Sequence, residues 1–375
     1  MIRKFTISIL VVMAVAVHVF GQPVPKKEDV LKTLVSVNDY FMKKYADYTQ
    51  PSNVGRLRPS NIWTRGVYYE GLMALYAIYP QESYYEYTYN WAEFHKWDYR
   101  YGASTRNADD YCAGQAYIDI YRFSGNPEHI RKTKANLDML VNTPQNDDWW
   151  WIDAIQMGMP VFAKLGRTLN EPKYYDKMWD MYAYCRNNMA GNGLYNAADG
   201  LWWRDADFVP PYKEPNGEDC YWSRGNGWVY AALVRVLDEI PANEKHRKDY
   251  IKDFKAMTNA LVKCQRTDGF WNVSLHDANN FGGKEVTGTA LFVYGMAWGI
   301  NNGLLDRKTY LPIVTKAWNA MATEAVHPNG FLGYVQGTGK EPKDGQPVTY
   351  DSMPDFEDYG IGCFLLAGTE VYKLR

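Results

Sequence analysis

The stretch 147–153, Asp-Asp-Trp-Trp-Trp-Ile-Asp, places the carboxyl group of Asp153 just after three tryptophans. Indole rings around an acid exclude water, which favours the protonated form and suits the group to proton donation. A structural interpretation competes with this one, because an aspartate in front of a helix commonly caps it. On the residues alone, proton donor and helix cap are equally good interpretations of Asp153.

A second pair of acids, Asp109 and Asp110, also stands in front of an apolar segment. One of the two can cap the helix that follows while the other reaches the same cleft as Asp153. Aspartate is among the preferred residues at the N-cap, so the residues alone favour capping for this pair.

The stretch 222–228, Trp-Ser-Arg-Gly-Asn-Gly-Trp, sets Arg224 and Trp228 four positions apart, hence on one face of a helix. A guanidinium fork beside an indole ring suits a planar carboxylate next to a sugar ring. An arginine that merely stacks on a tryptophan at the surface gives the same pattern, so both interpretations stay open. The glycines between them do not form a phosphate loop, because the GxxxxGK[ST] signature is missing.

Aromatic residues are the compositional excess: 14 Trp, 31 Tyr and 14 Phe amount to 16% of the chain. Many stand beside Asp, Asn, Arg and Gly, which favours sugar binding, since a sugar stacks its C–H face on a ring and bonds its hydroxyls in the plane. A formal net charge of −2 argues against nucleic acid as a partner. The five cysteines and six histidines lack metal-ligand spacing, so we expect no metal and no other cofactor.

Six charged, amphipathic segments alternate with six more apolar ones, which predicts six helical hairpins. The amphipathic segments, expected on the outside, are 27–45, 81–97, 128–141, 172–187, 245–265 and 307–325. The apolar segments contain mid-helix glycines, which cost about 1 kcal/mol each against alanine and are explained by close packing in an inner ring. The predicted fold is therefore all-α, an (α/α)6 barrel, and an open α-solenoid is the competing architecture.

Each apolar segment begins with a polar and aromatic cluster, and parallel inner helices would bring the six clusters to one mouth of the barrel. The long connection 191–221, rich in Trp, Asp and Pro, is expected to add a wall to this mouth. Helix N-termini attract anions through their unpaired N–H groups. The mouth therefore suits an acidic sugar.

The N-terminus has the features of a signal peptide. Arg3 and Lys4 precede an apolar run over 7–20, and Gly21 offers a small residue for cleavage. The run is shorter than the roughly 20 apolar residues of a membrane span. We expect residues 1–21 to be removed and 22–375 to form a single domain, without membrane insertion, in the periplasm or outside the cell. An uncleaved anchor is the alternative.

Five stretches together resemble glycoside hydrolase family 105, the unsaturated rhamnogalacturonyl hydrolases, which are related to the unsaturated glucuronyl hydrolases of family 88. These stretches are 108–114, 148–153, 222–228, 297–305 and 364–368. The resemblance implies an (α/α)6 barrel that releases a 4,5-unsaturated uronic acid from the non-reducing end of lyase-generated oligosaccharides of pectin or rhamnogalacturonan type. It also implies that Asp153 protonates C4 of the double bond and then accepts a proton from the water that adds at C5.

The expected substrate-binding residues are Asp109, Asp110, Trp151, Arg204, Trp222, Arg224 and Trp228. The chain departs from the family where many members carry a histidine in the long connection. Here the stretch 201–205 reads Leu-Trp-Trp-Arg-Asp, and Arg204 or Asp205 is the candidate for that role. The competing functions are an ordinary (α/α)6 glycosidase or polysaccharide lyase acting on saturated acidic glycans, and a non-catalytic glycan-binding toroid.

Overall fold

The computed structural model describes residues 23–54 and 56–374, and the predicted signal peptide lies outside the described residues. The helices are α1 (Lys27–Lys44), α2 (Trp63–Ile78), α3 (Glu82–Phe94), α4 (Ala108–Tyr111), α5 (Gly114–Ser124), α6 (Glu128–Val141), α7 (Asp153–Leu169), α8 (Lys173–Asn187), α9 (Ser223–Glu239), α10 (Arg247–Lys263), α11 (Val286–Asn301), α12 (Arg307–Glu324) and α13 (Asp358–Lys373). Four short strands accompany them: β1 (Ser52–Val54), β2 (Arg56–Arg58), β3 (Tyr195–Asn196) and β4 (Leu201–Trp202).

The helices form two concentric rings. In the inner ring, α2, α5, α7, α9, α11 and α13 each contact the next, and α13 returns to contact α2. Outside them, α3, α6, α8, α10 and α12 each pack on the inner helix that precedes them in the chain, and α1 packs on α13. Because the inner ring closes on itself, the predicted (α/α)6 barrel is confirmed and the open solenoid is wrong.

Polar and aromatic clusters lie at the starts of the inner helices, as the sequence predicted. For example, α2 begins at Trp63 and α9 at Ser223, so these two clusters form first helical turns as expected. In front of α7 the tryptophans precede the helix, which begins at Asp153. The six outer segments match α1, α3, α6, α8, α10 and α12 to within a few residues at each end.

The inner-ring glycines allow the close helix packing that the sequence predicted. A Cβ atom added to Gly71 of α2 would lie 2.6 Å from the carbonyl oxygen of Gly362 in α13. Real Cβ atoms do not approach so closely, so these two helices pack backbone against backbone at this point.

The strands form two small antiparallel hairpins. In the first, Ser52 lies opposite Arg58, and in the second Tyr195 lies opposite Trp202. The side chain of Asn226 in α9 holds the second hairpin, because it accepts from the Trp202 amide at 2.9 Å and donates to its carbonyl at 3.0 Å. The long connection is thereby fixed to the inner ring.

Within the described part of the chain, no helix is both long and apolar enough to cross a membrane. The five cysteines are all free thiols, four of them buried. The described residues also contain no group of three or more His, Cys, Asp or Glu side chains arranged to hold a metal ion.

Candidate active site

A cavity of about 250 Å³ opens where the inner helices begin. Its lining residues are Arg58, Trp63, Asp109, Trp151, Asp153, Met157, Arg204, Thr338, Gly339 and Phe356. The volume lies just below the range of about 300–1,000 Å³ for drug-sized ligands, which suits one terminal sugar more than a chain. Of the residues predicted from the sequence, the cavity brings together Asp109, Trp151, Asp153 and Arg204.

Asp153 is the first residue of α7, and Ile152 stands at the N-cap. The Asp153 side chain does not cap the helix: its Oδ2 atom accepts a hydrogen bond from Nε of Arg204 at 3.1 Å. Only 8% of the residue is exposed, and it lines the cavity. The helix-cap interpretation of Asp153 is therefore wrong.

The three tryptophans before Asp153 occupy different environments. Trp149 is fully buried and donates from its indole nitrogen to the hydroxyl of Tyr111 at 2.7 Å. Trp151 is nearly buried and faces the cavity, whereas Trp150 is 53% exposed. The backbone amide of Ile152 donates to the Arg204 carbonyl at 2.9 Å, which fixes the run against the long connection.

Arg204 joins the long connection to the acid. Its Nη1 atom donates to Oδ2 of Asp205 at 2.6 Å while its Nε contacts Asp153. The Asp205 carboxylate is buried and accepts in addition the Asp207 amide at 2.8 Å. Asp205 therefore orients the guanidinium, and Arg204 is the one of the two that reaches the cavity.

The structure separates the two neighbouring acids of α4. Asp110 is buried away from the cavity, where Nε of Arg100 and the hydroxyl of Thr105 each donate to it at 2.8 Å. Asp109 lines the cavity, and its amide is capped by the side chain of Asn107 at 2.9 Å. Neither aspartate is the cap, and Asp110, predicted to bind substrate, instead ties the segment before α4 in place.

Protein surrounds the carboxyl group of Asp109 on most sides, and this burial raises its pKa to about 7. The negative charge of Asp153 raises it further, against the opposing effect of Arg100 and Arg204. The Asp109 carboxyl group therefore keeps its proton up to about pH 7.

Arg224 lies behind the cavity wall. It is 1% exposed, and its two terminal nitrogens each donate at 2.7 Å to a backbone carbonyl, those of Gln336 and Gly337. Its guanidinium stacks on Trp222, 4.5 Å from the ring centroid, and not on Trp228 as the spacing suggested. Arg224 therefore binds the loop at Gln336 and Gly337, whereas the sequence predicted that it binds a substrate carboxylate.

Trp222 and Trp228 are also buried behind the wall. Trp222 donates from its indole nitrogen to Oε1 of Gln336 at 2.9 Å, so it supports the same loop as Arg224. Trp228 packs edge-on against Trp63, with centroids 6.2 Å apart, and Trp63 lines the cavity. Both predicted contact residues therefore act on the cavity through a neighbour.

The predicted site lacked six of the ten lining residues: Arg58, Trp63, Met157, Thr338, Gly339 and Phe356. The connection 325–357 is Gly- and Pro-containing like 191–221, and its length was a usable signal for Thr338 and its neighbours. The two connections meet where Nζ of Lys340 lies 2.7 Å from the Asp207 carboxylate. For Arg58 there was no signal, because its place depends on how one hairpin folds over the mouth.

Comparison with known proteins agrees with this architecture. The model of Glycosyl Hydrolase Family 88 matches residues 33–375. The curated protein "Unsaturated 3S-rhamnoglycuronyl hydrolase" of Formosa agariphila is 31% identical over 100% of this chain and 98% of its own length.

Solved structures give the same result. A family 88 glycosyl hydrolase from Bacteroides vulgatus is 32% identical, with a TM-score of 0.84 over 93% of this chain and 100% of that one. A protein described as a polysaccharide lyase is also 32% identical, with a TM-score of 0.83 over 92% and 97%. A family 105 enzyme of C. acetobutylicum, 21% identical, shares the fold with a TM-score of 0.72 over 92% and 99%. This chain belongs to glycosyl hydrolase family 88 and is a glycoside hydrolase.

Proposed function

We propose that the enzyme releases a 4,5-unsaturated uronic acid from the non-reducing end of acidic oligosaccharides that a lyase has produced. The observation that carries the proposal is a cavity sized for one sugar in which two carboxyl groups, Asp109 and Asp153, interact. The name of the Formosa agariphila relative, which matches over the whole chain, supports the same reaction.

In this reaction Asp153 gives its proton to C4 of the enol ether, and positive charge develops at C5 and the ring oxygen. Water then attacks C5 while the Asp153 carboxylate accepts one of its protons. The resulting hemiketal opens, the glycosidic oxygen leaves with the shortened oligosaccharide, and the uronic acid is released as a keto acid. Asp153 ends the cycle protonated, so one carboxyl group serves as acid and base.

The other lining groups hold and orient this acid. Arg204 stabilises the Asp153 carboxylate that forms after proton donation, because its Nε lies 3.1 Å from Oδ2. Asp109 forms hydrogen bonds with the sugar hydroxyls. Trp63 and Trp151 offer ring faces to the sugar, since aromatic rings line the cavity on these two sides.

Beyond the cavity, we propose that the exposed indole of Trp150 receives the next sugar. It stands beside the cavity, with its ring 6.0 Å from the Arg204 guanidinium. Two curated relatives carry the name "Unsaturated 3S-rhamnoglycuronyl hydrolase", and we infer rhamnose in this position. Unsaturated disaccharides with rhamnose, galactose or an amino sugar as second residue would rank the candidates.

A polysaccharide lyase is the second candidate, because a protein so described shares 32% identity and a TM-score of 0.83 with this chain. The two activities change the same signal in opposite directions. A lyase creates C4=C5 bonds and raises ultraviolet absorbance, whereas the proposed hydrolase removes them and lowers it. Incubation with an intact acidic polysaccharide and, separately, with its lyase digest decides between them: we expect a fall with the digest and no change with the intact chain.

The proposal includes export of a single-domain enzyme. The apolar run over 7–20 after Arg3 and Lys4 supports a cleaved signal peptide and a periplasmic or extracellular enzyme. N-terminal sequencing of the protein recovered from the periplasm or medium is expected to begin at residue 22. Recovery of the full-length chain in the cytoplasm would contradict this part.

A further inference from the structure

We propose that Arg58 binds the carboxylate of the unsaturated uronic acid and so selects a charged sugar over a neutral one. The identity of the substrate rests on the proposed function, whereas the choice of Arg58 rests on separate structural observations. Arg58 ends β2 and lines the cavity that contains Asp109 and Asp153.

The hairpin aims this side chain inward. Side chains alternate along a strand, and the neighbouring Leu57 is 70% exposed, so Arg58 points to the opposite side, into the cavity. The chain is anchored immediately afterwards: the Ser60 carbonyl accepts from the Trp91 indole at 3.1 Å, and the Ser60 hydroxyl contacts Nε2 of His95 at 2.7 Å. The arginine therefore sits at the fixed base of the hairpin.

Arg58 has no partner among the described residues. Its Nε atom is buried without a hydrogen bond, and no described carboxylate pairs with its guanidinium. A buried donor without an acceptor costs free energy, which a bound anion would recover. A guanidinium offers two parallel N–H groups, the arrangement that a carboxylate matches best.

The other cations near the mouth are already engaged. Arg204 is shared between two carboxylates. Arg224 donates from both terminal nitrogens to backbone carbonyls behind the cavity wall, and although its buried Nε has no partner, it is not among the lining residues. Arg100 pairs with Asp110 at 2.7 Å, and Lys340 pairs with Asp207. A uronate entering beside the two cavity carboxyl groups needs a positive partner, and Arg58 is the free one in the described lining.

The same guanidinium chemistry would also bind a sulfate ester on the next sugar, so the test separates the two anions. Binding of glucuronate, methyl glucuronate ester and a sulfated neutral sugar would be measured calorimetrically to the full chain carrying Asp153→Asn, with and without Arg58→Gln. We expect Arg58→Gln to weaken glucuronate about 10–100-fold, the effect of losing a hydrogen-bonded charge pair, and to leave the ester unchanged. Arg58→Lys would recover part of the loss.

Arg131→Gln is the matched control, because Arg131 is an exposed arginine on α6 that pairs with Glu128. It is expected to leave every affinity unchanged. Equal loss for glucuronate and its ester, or a loss confined to the sulfated sugar, would overturn the proposal. The binding measurement does not depend on turnover. Failure to hydrolyse unsaturated sugars would therefore refute the proposed function, and the role of Arg58 would be decided separately by the affinities.

Discussion

At the C-terminal ends of the inner helices lies a second cavity, of about 350 Å³, larger than the cavity of about 250 Å³ that contains Asp153. Its walls are also charged, but four pairs of a basic and an acidic side chain include all the charged lining residues except Asp238. The pairs and their separations are Lys164–Asp119 at 2.5 Å, Arg122–Glu239 at 2.9 Å, Arg235–Glu70 at 3.6 Å and Lys373–Glu370 at 2.5 Å. Asp238, the remaining acid, accepts the Trp298 indole at 2.6 Å.

The cavity with Asp153 lacks this matching. The negative charge of Asp153 raises the pKa of Asp109, and Arg58 has no partner among the described residues. The comparison shows that size alone does not identify the active site of this barrel. Charged groups that pair with each other stabilise the fold, whereas charged groups without an ion-pair partner at a cavity wall are available to a substrate.

The two cavities should differ most in how kcat responds when one carboxylate is replaced by an amide. Asp153→Asn keeps the shape of the side chain but cannot donate a proton, so kcat should fall about 10²–10⁴-fold. Circular dichroism and thermal unfolding should match the wild type. A folded variant that keeps more than about a tenth of the wild-type kcat would reject Asp153 as the acid.

The matching substitution in the opposite cavity is Asp119→Asn. It leaves the mostly buried Lys164 without its partner, which typically costs about 3–5 kcal/mol of folding free energy. Urea unfolding measures this loss, and kcat per folded molecule should be unchanged. A clear fall in kcat without loss of stability would place catalytic function in the opposite cavity and contradict a purely stabilising role for its charge pairs.

Asp109→Asn should alter the pH profile. Above about pH 7 the Asp109 carboxyl loses its proton, and the added negative charge repels an anionic substrate. Wild-type kcat/KM is therefore expected to fall as pH rises through about 7, and this limb should disappear in Asp109→Asn. An identical alkaline limb in both proteins would assign the titration to another group.

The smallest expected effect is that of Asp109→Asn on thermal stability. The folded protein keeps the Asp109 proton up to about pH 7, whereas an aspartate normally loses it near 3.8. Between these values the native state binds more protons than the unfolded chain, so Asp109 lowers stability progressively as pH rises. Asp109→Asn should raise Tm by about 1–3 °C at slightly alkaline pH and not at all below pH 3.8. A variant less stable than wild type at alkaline pH would contradict the raised pKa.

The fold followed from the sequence because hydrophobic period and mid-helix glycines are local signals that a closed inner ring satisfies together. Asp153 and the pair Asp109 and Asp110 could be placed at the mouth because they stand at the starts of inner segments, and all such starts meet there. Which of the pair enters the cavity could not be predicted, because that depends on the partners Arg100 and Thr105, which bind Asp110. The partners of Arg224 and Trp222 could not, because four-residue spacing defines a helix face but not the loop that folds over it. Here that loop is 336–339, contributed from more than a hundred residues further along the chain.

Turnover of an unsaturated disaccharide in D₂O tests most directly whether Asp153 protonates C4 of the C4=C5 double bond. Nuclear magnetic resonance at early times, before exchange beside the new C5 ketone, should find one deuterium at C4 of the released uronic acid. We expect this incorporation in the wild type, and we expect it to be lost together with turnover in Asp153→Asn. Product formed by the wild type without deuterium at C4 would contradict the hydration mechanism.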